Sequence, residues 1–347
     1  MDGGKRLFFD YPLSKLEKAV VEEGEKPYRA RQLFEWVYKK RVYDPEMMTD
    51  VSKSYRERLA AAFSFALPEV ATKQEASDGT VKFLLRMGDG SLVEAVLMRY
   101  DYGNVACVSS EVGCSMGCAF CASGLLKRTR VLTAGEMVSE CLLIDDFLKE
   151  AGERLSHVVV MGTGEPFDNY ENVMDFIRII NDDHAMGIGA RHITVSTCGI
   201  LDKIRRYGKE GLQINLAISL HASSEKTRRE LMPIARGYTM EELMDACRDY
   251  IESSGRRLTF EYILIDGLND RDENAYELAS LLKGMLCYVN LIPLNPVKEK
   301  PFKRSKNARR FMTILNNRGI NCTVRKEFGT DIDAACGQLR AKYQKAK

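Results

Sequence analysis

Residues 111–130 read EVGCSMGCAFCASGLLKRTR and hold Cys114, Cys118 and Cys121 in the spacing C-x3-C-x2-C. Structural zinc prefers four closed ligands, usually from paired short knuckles. An iron–sulfur cluster also normally takes four thiolates. This compact run supplies three. Cys107, seven residues before Cys114, is available as a fourth. If it is not used, one metal vertex stays open. A [4Fe–4S] cluster with one unligated iron can chelate a small molecule and pass it an electron.

Downstream of this run the sequence alternates between two periods. Short apolar runs HVVVM, HITVS, LQINLAISL, RLTFEYILI, YVNLIPLN and NCTVRKEFG read as strands, with amphipathic helical stretches between them. Six such strands separated by helices predict parallel βαβ units and a whole or partial β/α barrel. In such a barrel the site lies at the C-terminal ends of the strands. Upstream, VKFLLRM and SLVEAVLMRY flank Gly-Asp-Gly, which predicts a hairpin. Before that, LSKLEKAVVEEG, YRARQLFEWVYKK and SKSYRERLAAAF read as three helices, with Ser52 as a cap for the third. The expected organisation is a helical domain over 1–70, a hairpin extension over 71–99, a barrel over 100–330 and a C-terminal segment over 331–347.

The 347 residues are 45% apolar and 29% charged, which is ordinary globular composition. No apolar run reaches the ~18 residues of a membrane span. The opening MDGGKRLFFDYPL lacks the apolar core of a secretory signal, so the expected location is cytoplasmic. Ten cysteines in a reducing compartment favour metal or thiol chemistry over structural disulfides. Net charge is only +2, yet 298–310 carries seven Lys/Arg against one Glu. That basic run suits an anionic partner, nucleic acid first, although a charge run by itself is usually a solvated loop.

Polar residues follow several predicted strands. HVVVMGTGEP places Gly164 and Glu165 after one, and the Glu-Pro that follows excludes a dinucleotide fingerprint. Ser196, Ser219 with Leu220 and His221, and Asn295 end others. Singly each is an ordinary strand end. Together, in a barrel, they face one pocket with the cysteine run.

The cysteine spacing with Phe120 before its last member resembles the radical S-adenosylmethionine (SAM) superfamily. ACVSSEVGCSMGCAFCASG, MGTGEPFDN, ISLHA, LIPLNP and GTDIDAACGQL narrow the resemblance to the RlmN/Cfr family of adenine RNA methyltransferases, over nearly the whole chain. The resemblance implies a partial (β/α)6 radical-SAM barrel with one [4Fe–4S] cluster on Cys114, Cys118 and Cys121. It implies SAM contacts at Gly164, Glu165, Ser196, Ser219, Leu220, His221 and Asn295. Cys336 would carry a methyl group from a first SAM, to be activated through a second. Cys107 would resolve the covalent protein–RNA intermediate through a transient disulfide with Cys336. Glu94 would accept the C2 proton; from spacing alone it reads equally as a solvent-facing strand residue. Implied substrates are an adenine of 23S rRNA in the peptidyl-transferase centre and the anticodon-adjacent adenine of some tRNAs. A low-potential donor such as flavodoxin or ferredoxin, and a monomeric state, go with them. Pro166 points to the C2 branch of the family rather than the C8 branch. The rival from another class is an RNA-binding protein that closes a zinc site with Cys107, Cys114, Cys118 and Cys121.

Overall fold

The computed structural model describes residues 4–125, 127–297, 299–329, 331–332, 339–340 and 343. Ten strands form one sheet whose order follows the chain from end to end. They are β1 (Glu69–Glu75), β2 (Val81–Arg86), β3 (Leu92–Tyr100), β4 (Gly103–Val108), β5 (Leu155–Val160), β6 (Ile193–Thr197), β7 (Asn215–Ser219), β8 (Leu258–Leu264), β9 (Cys287–Pro293) and β10 (Cys322–Val324). Pairing is antiparallel from β1 to β4 and parallel from β4 to β10. The sheet ends at β1 on one side and β10 on the other, so the barrel is open.

The parallel part differs from the sequence expectation in one strand. β4, which carries Cys107, runs parallel to β5 with Cys107 opposite Val159. It is the first barrel strand, and the six expected ones follow it. Its alternation is masked in the sequence by the tight turn at Gly103, whose φ is +140. The expected hairpin is β2 and β3, joined where the Met87 amide donates to the Ser91 carbonyl at 2.8 Å.

Helices connect the parallel strands and cover the sheet's outer face. α1 (Leu13–Glu22), α2 (Tyr28–Phe34) and α3 (Lys53–Ala62) make the N-terminal unit. α4 (Ala134–Lys149), α5 (Tyr170–Asn181), α6 (Leu201–Gly208), α7 (Glu225–Leu231), α8 (Met240–Ser254), α9 (Asp272–Leu281) and α10 (Ala308–Asn317) accompany the barrel. α2 continues into a π-turn over Glu35–Lys39. Ser52 does occupy the cap position of α3, but its side chain makes no capping bond. Among the described residues no helix is long and apolar enough to cross a membrane.

One apolar core runs from Phe8 through the barrel to Cys322. Phe8 and Phe9 are fully buried where the N-terminal unit meets α4. Each such ring stabilises the joint by roughly 1.5–3 kcal/mol. Gly135 lets the backbones touch there, since a Cβ would lie 2.7 Å from the Asp10 nitrogen. Its amide donates to Asp10 Oδ1 at 2.7 Å, which satisfies one open amide of the α4 N-terminus. Ion pairs Arg41–Asp145 and Lys15–Asp175 fix the same unit on α4 and α5.

Candidate active site

The cysteine loop leaves and rejoins the barrel through a two-residue strand pair, Glu111–Val112 with Arg130–Val131. Arg130 holds both Glu136 oxygens at 2.7 Å and reaches Asp89 in the hairpin turn at 2.6 Å. The middle of the loop is pinned where the Ala119 amide donates to the Leu231 carbonyl at 2.8 Å. Cys114, Cys118 and Cys121 therefore sit above the C-terminal ends of the strands, held from both sides.

Two cavities of about 260 and 250 Å³ open beneath the loop. The first contains all three loop cysteines together with Gly164, Glu165, Ser196, Ser219 and His221. The second contains Cys107, Cys121 and Asn295. They share Phe120, Cys121, Met161, Ile263, Ile292 and Arg325, so they form two compartments of one chamber. Leu220 lines neither cavity; it is fully buried, and its amide donates to the Glu261 carbonyl at 3.1 Å. Glu94 also lines neither, and it does not face solvent. It is buried beside the second cavity, with Lys82 Nζ 2.9 Å from its Oε2. Cys336 lies outside the described residues. The Arg340 amide, four residues further on, donates to Glu94 Oε1 at 2.7 Å.

Local geometry explains the residue types. Gly164 has φ +117, and a Cβ there would lie 2.6 Å from Ser110 Oγ and 2.7 Å from Glu111 Cβ. Gly164→Ala should therefore cost at least about 2 kcal/mol of stability and pull the turn away from the cavity. Denaturant unfolding of the two chains would measure that loss. Glu165 accepts from the Phe167 amide at 3.0 Å and the Cys198 amide at 2.7 Å, so each oxygen is oriented by backbone. Burial pushes its pKa up, and these bonds oppose that. His221 has φ +58, and its Nδ1 accepts from the Ile263 amide at 3.1 Å. Burial pulls its pKa down to about 3, so the ring is neutral with its proton on Nε2. Its edge meets Phe120 at 4.9 Å between ring centres, at the wall between the compartments.

Several site residues carry no sequence signal. Arg228 sits in TRREL, which reads as exposed helix, yet it is buried. Its guanidinium donates to the Cys198 carbonyl at 2.6 Å and the Ser219 carbonyl at 3.4 Å, tying the ends of β6 and β7 together. Glu261 reads as the one charge in an apolar strand. It lies in the first cavity, braced by Asn290 Nδ2 at 2.9 Å. Burial pushes its pKa up.

The donor set was tested against the cluster that its pattern implies. Burial pushes Cys114 and Cys118 up to about 12, and nearby acidic groups and thiols push the same way. Cys114 and Cys118 give up their protons in this setting to a strongly cationic centre, which is what a bound metal provides. Among the described residues no three His, Cys, Asp or Glu side chains meet closely enough to hold one ion. Cys107 lines the second cavity while Cys114 and Cys118 line the first, so the four cysteines of a closed zinc site do not share one pocket. The three loop cysteines do line one pocket and are the donor set that would hold a cluster. No disulfide joins the described cysteines.

Residues 108–279 match the Radical SAM superfamily, and residues 8–64 match the ribosomal RNA large subunit methyltransferase N-terminal domain. The chain is 50% identical over 341 residues to a probable dual-specificity RNA methyltransferase RlmN of Clostridium perfringens, covering 97% of each chain. It is 50% identical to a protein of the same description from Spiroplasma citri, again over 97% of each. A crystal structure of a radical SAM methyltransferase from Sphaerobacter thermophilus superposes with a TM-score of 0.91 at 46% identity, covering 96% of this chain and 98% of that one. The open parallel barrel, the three-cysteine loop above it and these likenesses agree: the chain belongs to the RlmN-type dual-specificity RNA methyltransferases of the radical SAM superfamily.

Proposed function

We propose that the chain methylates C2 of an adenine in 23S rRNA and in tRNA, with SAM as the methyl source. The observation that carries this is the divided chamber. Its first compartment holds the cluster cysteines and the SAM-contact candidates, and its second holds the Cys107 thiol behind a shared wall. The C2 carbon lies between two ring nitrogens and has no lone pair with which to attack a sulfonium methyl. Ordinary displacement onto it therefore fails.

Cys114, Cys118 and Cys121 would hold the [4Fe–4S] cluster. When bound, the cluster supplies the single electron that opens SAM to radical chemistry. Gly164, Glu165, Ser196, Ser219 and His221 would bind SAM, with Asn295 reaching it from the second compartment. Leu220 would contribute backbone. Cys336 would accept a methyl by thiolate displacement and present it to the base. Glu94 would take the C2 proton. Cys107 would attack the Cys336 sulfur, so that the carbon–sulfur bond breaks, a disulfide forms and the methylated base is released.

RNA docking is assigned to the N-terminal domain, residues 1–70, and to the basic run 298–310. Arg304 in that run bonds Glu327 at 2.5 Å, and Glu327 lines the second cavity. Basic groups therefore stand at the mouth through which an extruded base would enter. A low-potential carrier such as flavodoxin or ferredoxin would supply the electron.

The test is anaerobic reconstitution, iron and sulfide analysis, and reaction with rRNA and tRNA. About four irons per chain and 2-methyladenosine in the digested RNA are expected. 8-Methyladenosine would assign the chain to the other regiochemistry. A zinc-loaded chain that leaves SAM intact would overturn the enzyme reading.

A further inference from the structure

The sheet face that borders the second cavity carries one buried ion pair on its first strands, Lys82 with Glu94. Along β2, Val81, Phe83 and Leu85 enter the main core. Thr80, Lys82 and Leu84 alternate onto the opposite face. Thr80 lines the second cavity, whereas Leu84 packs with Leu92 and Leu339. Along β3, Leu92, Glu94 and Val96 share that face, and Val96 lines the cavity. Lys82 and Glu94 are diagonal cross-strand neighbours, since Lys82 is opposite Val96 and Glu94 opposite Leu84. The pair thus stands between the cavity and the packing site of Leu339. The Lys82 side chain is 0% exposed and that of Glu94 4%, with 2.9 Å between charges.

Such a pair is a poor device for stability. Desolvating both charges costs about what their attraction returns, and apolar residues of similar size often serve the fold as well or better. What an ammonium does supply is a fixed ionisation state. A carboxyl buried without a cation becomes protonated, and a protonated carboxyl accepts no further proton from substrate.

We propose that Lys82 is a positioning residue for proton removal, its buried ammonium keeping the Glu94 carboxylate ionised and in place beside the second cavity. This rests on the reading of Glu94 as the base. Glu94 Oε1 accepts from the Arg340 amide and Oε2 faces Lys82, so both oxygens are oriented. Among the described residues, the Arg340 guanidinium from the C-terminal segment interacts with Glu94, and the Cys107 thiol lies on β4 opposite Val96, two residues along β3. Glu140 approaches from the α4 side, bonding the Ser109 amide at 3.0 Å. Burial holds its pKa well up, so it adds no negative charge.

The experiment measures single-turnover methylation against pH, together with covalent RNA–protein adduct on denaturing gels. Without the cation, burial alone opposes charge on the carboxyl, so the variant should need more alkaline conditions for proton removal. Lys82→Met is expected to move the acid limb up by about one pH unit or more, to lower the rate by about tenfold or more at pH values below both limbs, and to accumulate adduct. Lys82→Arg should leave the limb where the wild type has it. Glu94→Gln with and without Lys82→Met supplies the cycle. Glu94→Gln leaves the Lys82 ammonium buried without its carboxylate and the double variant removes that charge too, so the double variant should be no slower than Glu94→Gln. An unmoved acid limb in Lys82→Met, or a further loss in the double variant over Glu94→Gln, overturns the proposal while Glu94 stands as base. Wild-type turnover by Glu94→Gln overturns both.

Discussion

A Cys118→Ala chain is expected to stay colourless after anaerobic reconstitution and to cleave no SAM, with turnover down by about a thousandfold or more. Cys118 packs in a small cluster with Cys198, Leu231 and Met232, apart from the main core. Its loss leaves two loop thiols, too few to hold a cluster against exchange. The loop itself should persist, because the Ala119 to Leu231 bond and the strand pair at its base do not involve the thiol. Thermal melting of the metal-free chain should therefore change by no more than about 1 kcal/mol. Cys247→Ala is the matched control: that thiol is fully buried in the main core on α8, away from the loop. It should keep the cluster. A Cys118→Ala chain that retains iron, sulfide and SAM cleavage would refute the ligand assignment. The same reasoning fixes a pH dependence. Cys114 and Cys118 are pushed to about 12 without metal, so cluster assembly must displace their protons. Reconstitution should then proceed further as pH rises toward 8 to 9, by mass action on the released protons.

The residues that line one cavity were legible where they lie in contiguous segments. The three-cysteine run, Gly164 and Glu165, and the ends of β6 and β7 are contiguous segments, and the parallel sheet carries them to one mouth. Legibility failed where the deciding contact is long-range. Lys82 lies in VKFLLR, and nothing local says that its ammonium is buried rather than solvated. The neighbouring Leu84 on the same face packs against Leu339, more than two hundred residues away. Arg228 fails for the same reason: the carbonyls that it joins belong to β6 and β7, not to its own helix. Glu94 read equally as base or as exposed strand residue. The Arg340 amide, 246 residues further on, helps to bury it. Leu220 is a different case. It belongs to the matched motif, yet only its backbone is available, because the side chain is committed to the core.

Replacing Cys107 with alanine is expected to stop turnover after a single covalent event and leave protein attached to RNA. Cys107 is buried on β4 in the second cavity, packed with Met98, Val105 and Phe328. The thiol borders the cavity, and its part in the packing is one that alanine could serve. Its worth would lie in reaching the Cys336 sulfur once that sulfur is bonded to the base. Without it, the carbon–sulfur bond has no nucleophile to break it, and adduct should build toward one RNA per chain. The cluster should remain, since the loop cysteines are untouched. Denaturing electrophoresis would show a band shifted by the mass of the RNA and abolished by ribonuclease. Adding Cys336→Ala should remove that band altogether, because the carbon that forms the bond is then never loaded. Normal methylation by Cys107→Ala would show that another group releases the product. Adduct in the double variant would show that a different residue carries the methyl. The two chains therefore separate the resolving role from the carrying role, and neither result depends on the identity of the electron donor.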